Sequence, residues 1–286
     1  MIKTVSILCL LCLLTTKLLC AQTPEPVQAQ ATYHFTHIRD TTDRAHPYTE
    51  DLLLLLGRNA SACTSIDARL QQENFVKQIT NQAKTAPDPN HINLNIPGQR
   101  PVSDEYYQFL ATRKLITKHK LVNNYLVEEP LPAISWKIST DTLSISRLHC
   151  QKATAHFKGR DYVAWFCADL PFRSGPWKLH GLPGLIVQAS DTKKEVIFEF
   201  AGFEQISNQK VTVKLPEDAI YSTQKEFERL QQVAKTNPSA LSKIAGKTSG
   251  SPLDAIDPSK ISSMNVSRAD FGFSKKVNNP VELPEK

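Results

Sequence analysis

After residue 21 the chain has no run approaching the roughly 18 apolar residues that a spanning helix needs. The strongest, Leu52 to Leu56, is five leucines between Asp51 and Gly57. A transmembrane helix in the mature chain is therefore not expected. Beyond residue 21 there is also no Cys-x-x-Cys, and nowhere a His-x-x-x-His or a Gly-x-Ser-x-Gly. The compact metal-ligand spacings and the strand-to-helix nucleophile elbow are thus missing, and no metal site or cofactor is expected. Charge of one sign is scarce as well. The formal net charge is +6, with basic and acidic residues interspersed and no basic stripe interleaved with aromatics, so nucleic acid is not an expected partner.

The N-terminus does carry a signal. Met1-Ile2-Lys3 leads into an apolar segment from Val5 to Leu19, then Cys20-Ala21-Gln22, before the chain turns polar at Thr23-Pro24-Glu25-Pro26. A basic start, an apolar middle and a small-residue exit describe a secretory signal peptide over residues 1–21, cleaved after Ala21. A lipoprotein signal would require a small residue before Cys20, where Leu19 stands. Cleavage removes Lys3 and Lys17 and lowers the net charge to +4. It also removes Cys9, Cys12 and Cys20, leaving Cys63, Cys150 and Cys167, an odd number for an exported protein.

Residues 22–31, rich in Gln, Pro and Ala, read as a disordered linker, and residues 32–286 as a single domain. Strands are expected from Tyr33 to Ile38 and from Asp51 to Leu56, then a helix over about 66–83 opened by Thr64-Ser65-Ile66-Asp67. Thr85 to Pro101 reads as a surface loop. Short strands follow at Tyr106–Ala111, Leu115–Leu121, Tyr125–Val127, Trp136–Ile138 and Leu143–Ile145, the last two parted by the turn signal Ser139-Thr140-Asp141. The clearest hairpin runs from Arg147 to Phe157, turns at Lys158-Gly159 and returns from Arg160 to Leu170. With a two-residue loop Cys150 faces Cys167 on a non-hydrogen-bonded pair, which predicts a disulfide there and a free Cys63. A three-residue loop would shift the register and separate them. Further strands are expected at Leu185–Ala189, Glu195–Phe203 and Lys210–Leu215, then a helix from Ser222-Thr223 to Asn237-Pro238 with Phe227, Leu230 and Val233 on one side. Residues 246–264 are Gly-, Ser- and Pro-rich. The fold class is α+β, mainly β: a curved antiparallel sheet, meander or half-barrel, with one or two helices packed on one face.

Three of the ten glycines fall in Gly175-Pro176-Trp177-Lys178-Leu179-His180-Gly181-Leu182-Pro183-Gly184-Leu185-Ile186. Gly175, Pro176, Gly181, Pro183 and Gly184 set a path of tight turns, and Leu182-Pro183-Gly184-Leu185 fits a type II turn that needs φ > 0 at Gly184. Trp136, Trp165 and Trp177 and several phenylalanines concentrate over residues 136–203, as core or as the wall of an apolar pocket. Trp177, His180, Leu182, Leu185 and Trp165 are the candidate ligand or partner surface. Histidine pairs do not assemble: His34 and His37 fall on opposite faces of one strand, and His156 faces Asp161 as a surface pair.

The string Gly181-Leu182-Pro183-Gly184-Leu185-Ile186 resembles the signature of the GLPGLI family of exported Gram-negative proteins. Cys150-Gln151-Lys152-Ala153, Lys158-Gly159-Arg160, Ala164-Trp165-Phe166, Gly175-Pro176-Trp177-Lys178 and Asp191 stand in that family's order and spacing. Tyr48-Thr49-Glu50-Asp51, Glu128-Glu129-Pro130-Leu131-Pro132 and Asn279-Pro280-Val281-Glu282-Leu283 look like its flanking signatures. Cys167 stands where that hairpin commonly has a hydroxyl residue. The resemblance implies a periplasmic, outer-membrane-associated or extracellular location, and it supplies no established activity, cofactor or catalytic residue. The expected function is a non-enzymatic binding or carrier protein for an apolar ligand or an envelope partner. A hydrolase would instead bring two or more of His180, Arg173, Glu128, Asp191 and Cys63 together in one cleft. A structural envelope component would present a flat surface without a pocket.

Overall fold

The computed structural model describes residues 24–85, 91–96, 102, 104–121, 123–207, 210–237, 263–268 and 276–285. The expected signal peptide and most of the Gly-, Ser- and Pro-rich stretch lie outside them. In chain order the elements are β1 (Glu25–Pro26), β2 (Ala29–His37), β3 (Tyr48–Leu56), β4 (Ala60–Ser65), α1 (Ile66–Thr85), β5 (His91–Ile96), β6 (Glu105–Phe109), β7 (Lys114–Lys120) and β8 (Asn124–Pro130). They continue with β9 (Lys137–Ile145), β10 (Leu148–Phe157), β11 (Arg160–Cys167), β12 (Leu185–Asp191), β13 (Val196–Gln205), β14 (Thr212–Val213), β15 (Ile220–Ser222), α2 (Gln224–Thr236) and β16 (Ser263–Arg268).

Twelve strands form one open sheet in the order β15-β8-β7-β6-β4-β3-β2-β13-β12-β11-β10-β9. It is antiparallel except where the short β15 runs parallel to β8. Two meanders, β2 to β8 and β9 to β13, are stitched into one sheet where β13 pairs along the whole of β2, from Val196/His37 to Gln205/Ala29. Strand alternation sets the core. Ala29, Ala31, Tyr33, Phe35 and His37 of β2 point inward, while Gln30, Thr32, His34 and Thr36 are partly or fully open to solvent. One inward row crosses the sheet through direct cross-strand neighbours: Leu54, Cys63, Tyr106, Thr117 and Val127. α1 packs against β3 and β5, and α2 against β8.

Several expectations are corrected. The stretch read as a linker is ordered from Glu25, which pairs through β1 with β14, and Val27, Ala29 and Ala31 are buried. Small residues let β4 form between β3 and β6, a strand whose Ala-Ser-Ala-Cys composition hides its buried faces. Part of the expected loop at 85–101 is β5, paired in parallel with β16. The two short strands around Ser139-Thr140-Asp141 are one edge strand, β9. A strand with water on both faces needs no apolar alternation, so its polar middle reads falsely as a turn.

The Lys158-Gly159 turn has φ of 50° and 71°, as a two-residue type I′ hairpin requires, and its register carries through to Gln151/Phe166 as expected. The predicted Cys150–Cys167 disulfide is nevertheless not formed: both thiols are free and buried, as is Cys63. The ladder ends at Gln151/Phe166, and both flanking ladders shift register at this level. Cys150 Sγ instead donates to Leu148 O at 3.5 Å. Cys150 and Cys167 share a small apolar cluster with Val187, against which Trp165 packs.

The Gly/Pro segment lies against the inward face of the sheet, and Trp177, Leu179 and Leu182 enter the main core. The type II turn is not there. Gly184 is not among the residues with positive φ; that role falls to Gly181 at 95° and Trp177 at 58°. Gly184 is needed for a different reason: a Cβ on it would sit 2.1 Å from Cys167 O and 2.6 Å from its carbonyl carbon. Backbone passes over backbone there, and only a missing side chain allows it. Trp177 holds its left-handed backbone by donating its N–H to Cys63 Sγ at 3.3 Å and accepting Gln108 Nε2 at its carbonyl at 3.1 Å.

The C-terminal segment 276–285 straps across the ends of the strands. Arg160, 4% exposed, donates to Asn279 Oδ1 and Pro280 O at 2.6 Å and to Val281 O at 2.8 Å. Its other terminal nitrogen lies 2.7 Å from Asp191 Oδ2 and 3.5 Å from Glu195 Oε2. His37 Nε2 meets Asn279 O at 2.7 Å, and Leu283 N donates to Lys158 O at 3.0 Å.

Candidate functional site

Beside the core the inward row continues as the floor of a cleft. Tyr106, Thr117 and Val127 come from β6, β7 and β8, with His119 and Glu129 on the same face two residues further along. Three other parts of the chain wall it. α2 contributes Phe227 and Gln231, the Gly/Pro segment contributes Lys178, and the strap and the hairpin turn contribute Glu282 and Lys158. The cleft has a volume of about 280 Å³. α2 is placed by a capping box, Thr223 accepting from Glu226 N while Glu226 accepts from Thr223 N, and by Phe227 packing on Tyr125 and Val127.

The cleft is charged throughout. Lys178 Nζ lies 3.0 Å from Glu129 Oε1 and 2.9 Å from Glu282 Oε1, and Lys158 Nζ lies 3.2 Å from Glu282 Oε2. Burial works against the Lys178 ammonium, but Glu282 and Glu129 outweigh it and hold its pKa above the ordinary lysine value. Burial likewise works against the Glu282 carboxylate, and the two lysines hold its pKa below the usual range. His119 Nδ1 lies 3.0 Å from Asp104 Oδ2, and its ring stacks on Phe227 with centres 4.3 Å apart and planes 16° from parallel.

Asp104 and Tyr106 also line a second, smaller cavity of about 70 Å³ toward the core, walled by Phe35, Leu52, Trp177, Phe198 and Val281. Its one buried carboxyl group is Glu50, whose Oε2 accepts from Ser65 Oγ at 2.9 Å and Val102 N at 3.1 Å. Burial raises the Glu50 pKa, only partly offset by bonds from Tyr48, Ser65 and Val102. Cys63, at the same wall, is pushed up to about 12 by burial and is an inert thiol at neutral pH.

Of the five residues named as a ligand surface, only Trp177 lines either of these two cavities, the inner one. Leu182 and Leu185 are core residues with no open face, and Trp165 packs in the Cys150–Cys167–Val187 cluster. His180 is buried with Nε2 on Pro132 O at 2.9 Å, while its carbonyl accepts Trp136 Nε1 at 2.8 Å; burial, with Arg173 adding, lowers its pKa. Of the five residues of the hydrolase reading, none lines the outer cleft and only Cys63 lines the inner cavity. Glu128 pairs with Lys114, Asp191 with Arg160, Cys63 lies under Trp177, and Arg173 and His180 are neighbours in one turn whose imidazole is taken by Pro132. Sequence reasoning missed Glu129, Lys158 and Glu282 as a site. The available signal was that all three stand in strings quoted above for the family resemblance, far apart in the chain.

No family model matches the chain, and no curated protein matches it. Among solved structures it is similar to PNGF-II, in two crystals of space groups P21 and C2. The TM-scores are 0.47 and 0.46 and the identities 11% and 10%, over 71% of this chain in each case. The match spans 32% of the PNGF-II chain, so this chain corresponds to about a third of that protein's length. A likeness this distant bears no weight on the site.

Proposed function

We propose that the protein is an exported, GLPGLI-type binding protein that takes a small ligand in the two-chambered cleft beneath its C-terminal strap. One observation carries this reading: Asp104 and Tyr106 line both chambers, so the charged outer one and the apolar inner one adjoin, and an amphiphile with its polar end among the outer charges has Phe35, Trp177 and Phe198 next to its apolar end. Size limits the apolar end. A dry cavity of about 150 Å³ holds benzene, so the inner chamber of about 70 Å³ suits a few carbons and not a long acyl chain. The expectation of an apolar ligand narrows to a small amphiphile. The presence of a cleft also argues against a purely structural role with a featureless surface.

Native mass spectrometry of the full chain purified from its own host tests the reading. The expected result is a low-mass adduct on the wild type that disappears in Val281→Phe, which fills the inner chamber from the strap while the melting temperature stays nearly unchanged. A bare wild-type chain overturns it.

A further inference from the structure

The charged side chains around the outer chamber already engage one another or a neighbouring ring nitrogen. Lys178 is shared by Glu129 and Glu282, Lys158 takes the second oxygen of Glu282, and His119 meets Asp104. Three carboxylates and two ammoniums line the chamber together, so a ligand with a full charge of either sign meets like charge beside any partner and gives up its own hydration there. A neutral ligand meets no such cost. It finds the unused half of each pair instead. In these contacts Glu129 and Asp104 each engage one carboxylate oxygen and leave the other to accept, and Lys178 commits two of its three N–H groups.

Donors and acceptors therefore both face the chamber, and Thr117 and Gln231 add a hydroxyl and an amide. An ammonium can only donate and a carboxylate only accept, whereas a hydroxyl does both. The ring surfaces supply the complementary apolar contact: Tyr106 on the floor and the His119–Phe227 stack at the side. A volume of about 280 Å³ lies just below the usual range for drug-sized ligands and holds one ring-sized molecule.

We infer that the outer chamber binds a neutral, polyhydroxylated ligand of monosaccharide size. This rests on the cleft-binding reading above and specifies the chemistry of the ligand's polar end. Neighbouring hydroxyls bridge Glu129 and Lys178 on one side and Asp104 and Thr117 on the other, with the ring's C–H face on Tyr106.

Saturation-transfer NMR on the full chain, with glucose, galactose and mannose as neutral probes and gluconate and glucosamine as charged ones, tests it. At least one neutral sugar should receive saturation, and the charged probes should bind at least about tenfold more weakly than that sugar, a difference of about 1.4 kcal/mol. Thr117→Val, near-isosteric, and Gln231→Ala, on an exposed helix position, should each weaken that sugar several-fold without shifting the melting temperature. Preference for a charged probe, or transfer to no probe at all, overturns the polyol assignment. The two readings fail separately: if the host-purified chain still carries an adduct lost in Val281→Phe, only the polyol assignment falls, and if that chain is bare both fall.

Discussion

Arg160 and Lys178 are both buried cations that grip the same C-terminal strap, one from β11 and the other from the Gly/Pro segment. Their surroundings differ. Arg160 spends its planar fork on Asn279, Pro280, Val281, Asp191 and Glu195, and both side chains of its closest ion pair are almost sealed, at 2% and 3% exposure. Lys178 is nearly as buried, but its partners Glu129 and Glu282 are 37% and 38% exposed at the side chain and face the cleft. Two similar networks thus have different capacities. A closed guanidinium centre fixes the chain, whereas an ammonium with half-open partners keeps hydrogen-bonding capacity that a ligand can use.

The contrast can be broken first at Arg160. Arg160→Met leaves Asp191 without its buried counter-charge, while Glu195 keeps Arg44 at 2.8 Å, and should cost about 3–5 kcal/mol in urea unfolding. A loss below about 1 kcal/mol would show that the strap is held by something else.

A second probe of the sealed centre is pH. Burial pulls the His37 imidazole from 6.5 to about 4, so between these values the unfolded chain binds a proton that the folded chain does not. Stability present above pH 6.5 is therefore lost as pH falls toward 4, by about 3 kcal/mol in all. His37→Gln keeps a donor for Asn279 O and should flatten that part of the profile. An unchanged slope would remove His37 from the account.

Gly184 tests how the open end is positioned, since it anchors the segment that carries Lys178. Gly184→Ala drives a methyl onto Cys167 O and should cost about 3 kcal/mol, while Gly181→Ala, with nothing closer than Trp136 at 3.9 Å, should cost only the 1–2 kcal/mol or so of left-handed backbone. Thermal unfolding in the reverse order would show that the Cys167 carbonyl is not held against Gly184.

The smallest stability effect belongs to the open network. Lys178→Met should cost about 1 kcal/mol, because water screens two carboxylates that are each more than a third exposed. The same substitution should nevertheless abolish the adduct seen by native mass spectrometry. A cost as large as that of Arg160→Met would make the two centres alike and the cleft merely structural.

Much of this architecture is legible in the chain. The alternation in Tyr33–Ile38, the Lys158-Gly159 turn with its register, and the Thr223–Glu226 capping box are local patterns, and local sterics and hydrogen bonding decide them. Where the local signal failed, the reason lay outside the segment. β4 carries no strand signal because its residues are small, yet it is buried between two strands; β9 looked like two strands because an edge tolerates polar residues on both faces.

By itself the sequence determined that the Gly175–Ile186 segment is the most constrained backbone in the protein and that the body of the chain is β-rich. Which glycine needs a left-handed backbone and which needs an absent side chain was decided only when that segment was laid against Cys167 and Ala168. The cleft is tertiary in the same sense. Glu129, Lys158, Lys178 and Glu282 span more than half the length of the chain, and no spacing rule joins them. They meet because β2 pairs with β13, joining two meanders into one sheet, and because Arg160 then fixes the strap across the ends of its strands.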